Sequence, residues 1–269
     1  MSERRLDRLD GQAAIVTGAS SGIGAATAVE LARAGAAVAV NYHSDEEGAR
    51  RTLADIERVG GRGTVVQADV SDEAAVRRMF HVAEEAFGPI DIVVSNAGLQ
   101  RDSAFAEMSL ADWNTVIATN LTGGFLVARE AVRRFRAKGM RADVSCSLGK
   151  IVFNSSVHEL IPWAGHVNYA ASKGGLSLLM KSLAQEVAHE KIRVNSVAPG
   201  AIATDINKAE REEAGEAVLD LIPYERVGDP EDVARVICWL CSDASDYVVG
   251  HALFVDGGMA LYPGFHGNG

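Results

Sequence analysis

Tyr169 and Lys173 stand four positions apart, a spacing that puts two side chains on one helix face, one turn apart. The pair suits proton transfer. A free phenol, with a pKa near 10, is a poor base at neutral pH, but an ammonium beside it stabilises the phenolate. Ser155 and Ser156 follow the run Lys150–Asn154, which reads as a strand. A hydroxyl at that strand's carboxyl end can hold a substrate oxygen where doubly wound sheets bind their ligands. Taking a hydride and a proton from one carbinol carbon also needs a hydride acceptor, which a cofactor supplies.

The acceptor has a place to bind. The apolar strand Ala13–Thr17 runs into Thr17-Gly18-Ala19-Ser20-Ser21-Gly22-Ile23-Gly24, and a helix follows. Glycines keep such a turn tight and let backbone N–H groups approach a pyrophosphate, while the helix turns its positive end toward that charge. The context of first strand, first helix and continuing alternation is the one a dinucleotide loop requires.

The elements that must position these groups are legible as a pattern. Ala13–Thr17, Ala37–Asn41, Thr64–Gln67 and Ile90–Ser95 read as strands, with Gly22–Ala34, Asp45–Val59 and Glu73–Phe87 as helices between them. Lys150–Asn154, Arg193–Val197 and Ala252–Val255 are the later strands, and the helix of Tyr169 starts at Asn168. Short, nearly all-apolar strands alternating with helices imply a parallel sheet covered on both faces. The expected fold is α/β: a single doubly wound Rossmann domain over residues 1–269, with a core at 10–260 and a glycine-rich tail at 261–269. Met140–Gly149 is irregular, with the character of a surface insertion, and receives no role.

Hydrophobic residues make up 48% of the chain and the formal charge is −10. Lys and Arg are scattered, whereas a nucleic-acid groove needs a clustered basic face; neither nucleic acid nor an anionic membrane is expected as a partner. No apolar run reaches the roughly 18 residues that span a bilayer, and Met1–Asp10 lacks the apolar stretch of a signal peptide. Three cysteines cannot pair completely, which fits a reducing, cytoplasmic setting. Cys238 and Cys241 form a lone C-x-x-C on a helix opened by Asp229-Pro230. They share its face with Val233, Ile237 and Leu240, so they read as core cysteines, and no metal site is expected.

The spacing Gly-x-x-x-Gly-x-Gly resembles the short-chain dehydrogenases/reductases, and further motifs in the family's order extend the resemblance from about Leu9 to Met259. Ser95-Asn96-Ala97-Gly98 is similar to the family's Asn-Asn-Ala-Gly strand end. Ser156, Tyr169 and Lys173 have the spacing of its catalytic group; the Ser-to-Tyr interval of thirteen selects Ser156 over Ser155. The resemblance implies that Asn120 supports a proton relay through water and Lys173. It implies that Pro199-Gly200, Ile202 and Thr204 cradle the nicotinamide, that Asp69-Val70 contacts adenine, and that the chain forms a homotetramer.

The dinucleotide is expected to be NADP or NAD, with NADP slightly favoured. The family position for an NAD-selecting acid falls on Tyr42, so no carboxylate repels a 2′-phosphate there, and Asn41, His43 and Ser44 can hydrogen-bond one. Ser155–Trp163 resembles bacterial glucose 1-dehydrogenases, which implies a small-molecule sugar or polyol substrate, with glucose C1 foremost, and puts His158 on the substrate side. Gln100 departs from the acid typical there but still donates and accepts hydrogen bonds. The alternatives are a carbonyl reductase of the 3-oxoacyl thioester or small-ketone type, served by the same four residues, and a non-catalytic dinucleotide sensor. Leu176, Leu179 and Met180 fit an interface or core packing equally, and the C-terminal segment with Tyr262-Pro263 is implied to help build the tetramer.

Overall fold

The structure is a computed structural model that describes residues 5–204 and 215–261. Seven strands form one parallel sheet in the order β3-β2-β1-β4-β5-β6-β7. They are β1 Ala13–Val16, β2 Ala37–Tyr42, β3 Arg62–Gln67, β4 Ile92–Ser95, β5 Gly149–Asn154, β6 Ile192–Pro199 and β7 Ala252–Val255. All six pairings are parallel. The helices are α1 Gly22–Arg33, α2 Glu46–Arg58, α3 Glu73–Phe87, α4 Leu110–Val116, α5 Gly123–Lys138, α6 Val167–Val187 and α7 Pro230–Cys241. A π-turn, Ile117–Thr122, joins α4 to α5.

The apolar runs of β1, β2, β4, β5 and β6 are buried along their whole length. Alternate residues of one strand serve opposite faces. Val93 packs with Met79 and Phe80 of α3, Phe135 of α5 and Met180 of α6. Ile92 and Val94 pack with Leu31 of α1, Ile56 of α2 and Ile237 of α7. Each such side chain contributes about 1.5–3 kcal/mol when fully buried. Leu176 and Met180 lie in the first cluster and Leu179 packs against it, so they are core. Cys238 and Cys241 are buried in the second, on α7, whose N-cap Asp229 and N3 residue Asp232 form a capping box with Pro230 between them.

The chain runs outward from β1 to β3, returns to β4 beside β1, and continues the other way. The carboxyl ends of β1 and β4 therefore open a crevice at the switch point, where ligands bind in such sheets.

Met140–Gly149 differs from its reading as a surface insertion. It seals the sheet's amino edge. Arg141 and Lys138 both bond the buried Asp91 carboxylate at 2.6 Å. Ser145 Oγ and Cys146 N donate to Asp243 at 2.7 and 3.2 Å. Lys150 Nζ donates to Gln12 Oε1 at 2.7 Å and to Ser145 Oγ, and lies 3.4 Å from Asp243 Oδ1. Arg193 reaches Ser147 Oγ and the carbonyls of Leu240, Ser242 and Ser245. Polar groups buried at a sheet end need such partners, and this segment supplies them. Tyr262 and the tail residues 262–269 lie outside the described residues.

Candidate active site

The dinucleotide loop leaves β1 at Thr17 and is built by backbone contact. Thr17 Oγ1 accepts hydrogen bonds from the N–H groups of Asn96 and Ala97, at 2.9 and 3.0 Å. Asn96 Nδ2 donates to the carbonyls of Thr17 and Gly18. Gly18 has φ +60°, and a Cβ there would lie 2.8 Å from Ala97 Cα; only glycine fits this close approach. Helix α1 has no side-chain cap at Ser21 and no acidic residue in its first turn. By contrast, α2 and α3 are capped by Asp45 and Asp72 and carry acids in the first turn. An uncapped, acid-free helix start facing a cavity suits an anionic group.

That cavity measures about 1930 Å³, beyond the roughly 300–1,000 Å³ of a single-ligand pocket. It runs from the loop residues Gly18, Ser20, Ser21, Gly22, Ile23 and Gly24 past Asn96, Ala97 and Gly98 to Ser156, Tyr169 and Lys173. Pro199, Gly200, Ile202 and Thr204 line its side, and Asn41, His43, Asp69 and Val70 its far end. Gln100 and His158 line the end beyond the tyrosine. The sequence-predicted residues thus lie around one space, with two exceptions.

Tyr42 does not line it. It shares the strand face of Val38 and Val40 and is buried in the core beneath α1, α2 and α7. Strand alternation sends Asn41, not Tyr42, to the ligand side. Asn41 cannot serve a phosphate as expected, because its Nδ2 is committed to the carbonyls of Val66 and Ala68 and its Oδ1 accepts from Gly18 N. Asn120 also lies behind the cavity wall, 2% exposed. Its Oδ1 accepts from Leu99 N, while its Nδ2 donates to Leu99 O and to Ser172 Oγ. Ser172 Oγ in turn donates to the Tyr169 carbonyl at 2.7 Å. The Asn120 side chain therefore clamps the loop after β4 to the helix of the tyrosine and makes no bond to Lys173.

Helix α6 sets Tyr169 and Lys173. Tyr169 N donates to Asn168 Oδ1 at 2.7 Å, and Asn168 Nδ2 donates to the Arg101 carbonyl. Lys173 is buried, its Nζ donating to the carbonyl of Asn154 at 2.8 Å and standing 5.4 Å from the Tyr169 ring centroid. Burial pushes the Lys173 pKa down to about 8, with the Glu159 charge opposing. Ser156 Oγ accepts from His158 N at 3.2 Å, which leaves its own O–H to donate to a ligand oxygen. His158 Nδ1 sits 3.1 Å from the Ile161 carbonyl. A carbonyl only accepts, so Nδ1 carries the proton. Burial lowers the His158 pKa, so the ring is neutral and Nε2 is an acceptor. The rings of His158, Trp163 and His166 stack in series, with centroids 4.2 and 3.5 Å apart.

At the cavity's far end, His43 Nε2 lies 3.8 Å from Asp69 Oδ2. Burial works against the Asp69 carboxylate, but hydrogen bonds from Ser71 outweigh it and hold its pKa below the ordinary value. Asp45 also lines this end, with Oδ1 accepting from Gly48 N. The Asn154 carbonyl and Asp45 escaped sequence reading. The second had a signal, an Asp at a helix start. Ile161, Trp163, Leu219, Leu221, Ile222 and Met259 give the end beyond the tyrosine an apolar wall. Leu219, Leu221 and Ile222, interrupted by Asp220, had only a weak signal as apolar residues with no strand to join.

Among the described residues no group of His, Cys, Asp or Glu could hold a metal, and no helix is long and apolar enough to cross a membrane. The sequence profile of a family described as "Enoyl-(Acyl carrier protein) reductase" matches residues 18–260. The chain is 48% identical over 261 residues to 3beta-hydroxysteroid dehydrogenase 1 of Eggerthella lenta, covering 96% of this chain and 97% of that one. It is 43% identical over 257 residues to glucose 1-dehydrogenase 2 of Bacillus subtilis, covering 95% and 97%. A solved short-chain type dehydrogenase/reductase from Mycobacterium marinum superposes with a TM-score of 0.89 at 33% identity, covering 96% and 98%. A gluconate 5-dehydrogenase from Burkholderia cenocepacia, solved with NADP and tartrate, gives 0.87 at 34% identity over the same shares.

Proposed function

This chain belongs to the short-chain dehydrogenase/reductase family, and from that premise we propose that it moves hydride between a cyclic secondary alcohol and NAD or NADP, with Tyr169 as the acid/base. The observation that carries the reading is Lys173: a buried ammonium with a single backbone acceptor, beside a tyrosine that lines the large cavity.

The bound nicotinamide would supply the hydride acceptor or donor. The uncapped start of α1 and the N–H groups of residues 20–24 would hold its pyrophosphate. Ser156 Oγ donates to the substrate oxygen and fixes it beside Tyr169. In oxidation the Tyr169 phenolate takes the carbinol proton; in reduction the phenol returns it. Lys173 stabilises the phenolate by its charge and offers its spare N–H groups to the cofactor ribose. Asn120 holds Leu99 and Ser172, and through them the position of Tyr169.

Two substrate readings remain in play, each with its own support. Glucose at C1 is supported by the glucose 1-dehydrogenase relative and by acceptors for further hydroxyls at His158 Nε2 and Gln100. A larger apolar cyclic alcohol is supported by the hydroxysteroid dehydrogenase relative and by the wall of Ile161, Trp163, Leu219, Leu221, Ile222 and Met259. Apolar walls favour apolar ligands at about 25 cal/mol per Å² buried. A homotetramer fits the exposed Phe125 and Leu178 on α5 and α6 and Trp239 on α7, and a cytoplasmic setting fits the three free thiols.

The test is a panel of aldoses, hydroxysteroids and simple ketones with NAD and NADP in parallel. The proposal expects turnover of at least one alcohol class. Dinucleotide binding without any turnover would replace it with the sensor reading.

A further inference from the structure

The turn that follows Ser156 carries a carboxylate with no part in the mechanism above. Glu159 ends the 3-10 turn Val157–Glu159, which packs against α6. Its Oε1 accepts from Ser177 Oγ at 2.9 Å, and Ser177 stands one helical turn beyond Lys173 on the same face. Its Oε2 is buried and accepts no hydrogen bond. A buried carboxylate oxygen without a partner is costly unless a positive charge lies close by.

The surroundings narrow the source of that charge. Tyr169 faces Lys173 from its own helix, the Asn154 carbonyl from β5 and Glu159 from the 3-10 turn. The Glu159 charge opposes the effect of burial on Lys173. Lys181, the next residue along this side of α6, is exposed. Lys173 spends one donor on the Asn154 carbonyl, and among the described residues its ammonium has no carboxylate in contact.

We propose that Glu159 is the counter-charge of the catalytic lysine, a positioning residue that keeps Lys173 protonated in its buried place so that Tyr169 has an ammonium beside it. The inference rests on the reading of Lys173 as the partner of Tyr169. It gives the Glu159 carboxylate a role beyond its bond to Ser177.

Removing the carboxylate charge makes the ammonium less favourable, so Lys173 should release its proton at lower pH. It also makes the phenolate more favourable, so both limbs of the oxidation profile should move the same way. Glu159→Gln is nearly isosteric and still accepts from Ser177. Its Lys173 midpoint, read by NMR of 13Cε-labelled lysine and assigned by its absence in Lys173→Met, should fall by about one pH unit. The pH optimum for alcohol oxidation should fall with it. Glu159→Leu should move the midpoint in the same direction, whereas Ser177→Ala and Glu159→Asp, which keep the charge, should leave it within about 0.3 unit. The proposal is overturned if Glu159→Gln titrates as the parent does, or if Ser177→Ala shifts the midpoint as far. The NMR midpoint needs neither cofactor nor turnover, so it stays readable even if the alcohol-oxidation reading fails.

Discussion

Lys150 and Lys173 are both buried and stand near opposite ends of β5, and burial lowers the pKa of each. Their surroundings differ. Lys150, second in the strand, is bonded to Gln12 and Ser145, with Asp243 close by. Lys173, donating to the carbonyl of Asn154 at the strand's other end, has that single acceptor among the described residues. At the amino edge the lysine's ammonium is engaged by Gln12, Ser145 and Asp243, and the network holds Met140–Gly149 and the 3-10 turn after α7 to the sheet. At the carboxyl edge donors are left over, and the space beside them is a cavity. A buried lysine with spare donors marks the chemical end of this molecule; a buried lysine with its donors engaged marks the structural end.

The largest expected effect separates the two lysines. Lys173→Met should lower turnover by about 10²–10⁴-fold without lowering urea stability. Lys150→Met should leave turnover per folded molecule unchanged and cost about 3–5 kcal/mol of stability, because Asp243 stays buried without its charge partner. If Lys150→Met instead abolished turnover in folded protein, the division between the edges would be broken. A smaller effect sharpens it: adding Asp243→Leu to Lys150→Met should recover stability by about 1–3 kcal/mol, since an apolar replacement of a whole buried pair is tolerated better than half of it.

A third effect is a pH dependence. Lys173 has a folded pKa of about 8 against an ordinary 10.5. The cost of burying its charge is fully present below pH 8. Between pH 8 and 10.5 the unfolded chain holds more protons, so stability rises with pH. The parent should therefore gain stability relative to Lys173→Met across that window, as read by urea melts at each pH. Parallel curves would contradict the burial of a charged lysine there. Lys150 is present in both proteins and cancels.

Much of this contrast was legible in the chain, but unevenly. Tyr169, Lys173, Ser156 and the glycine loop declare themselves because fixed spacing on a helix or a strand end fixes relative position. The strands are legible because burial on both faces demands apolar runs. Tyr42 misled because its number on the strand, not its chemistry, decides which face it takes, and the alternation put it in the core. Asn120 was found but not its bonds, since the reach from α4–α5 to Leu99 and Ser172 exists only once β4 and α6 are packed. The amino-edge network was invisible for the same reason: Gln12, Ser145, Lys150 and Asp243 span most of the chain, and no local pattern joins them.

The central claim is that Tyr169 is the group that moves the proton. The most direct measurement is single-turnover hydride transfer by Tyr169→Phe, with dinucleotide affinity determined on the same protein. The ring, its packing and the Lys173 position are retained, so affinity should stay within about twofold while the hydride step slows by about 10²–10⁴-fold. Hydride transfer at the parent rate, with the cofactor bound as tightly, would contradict the account.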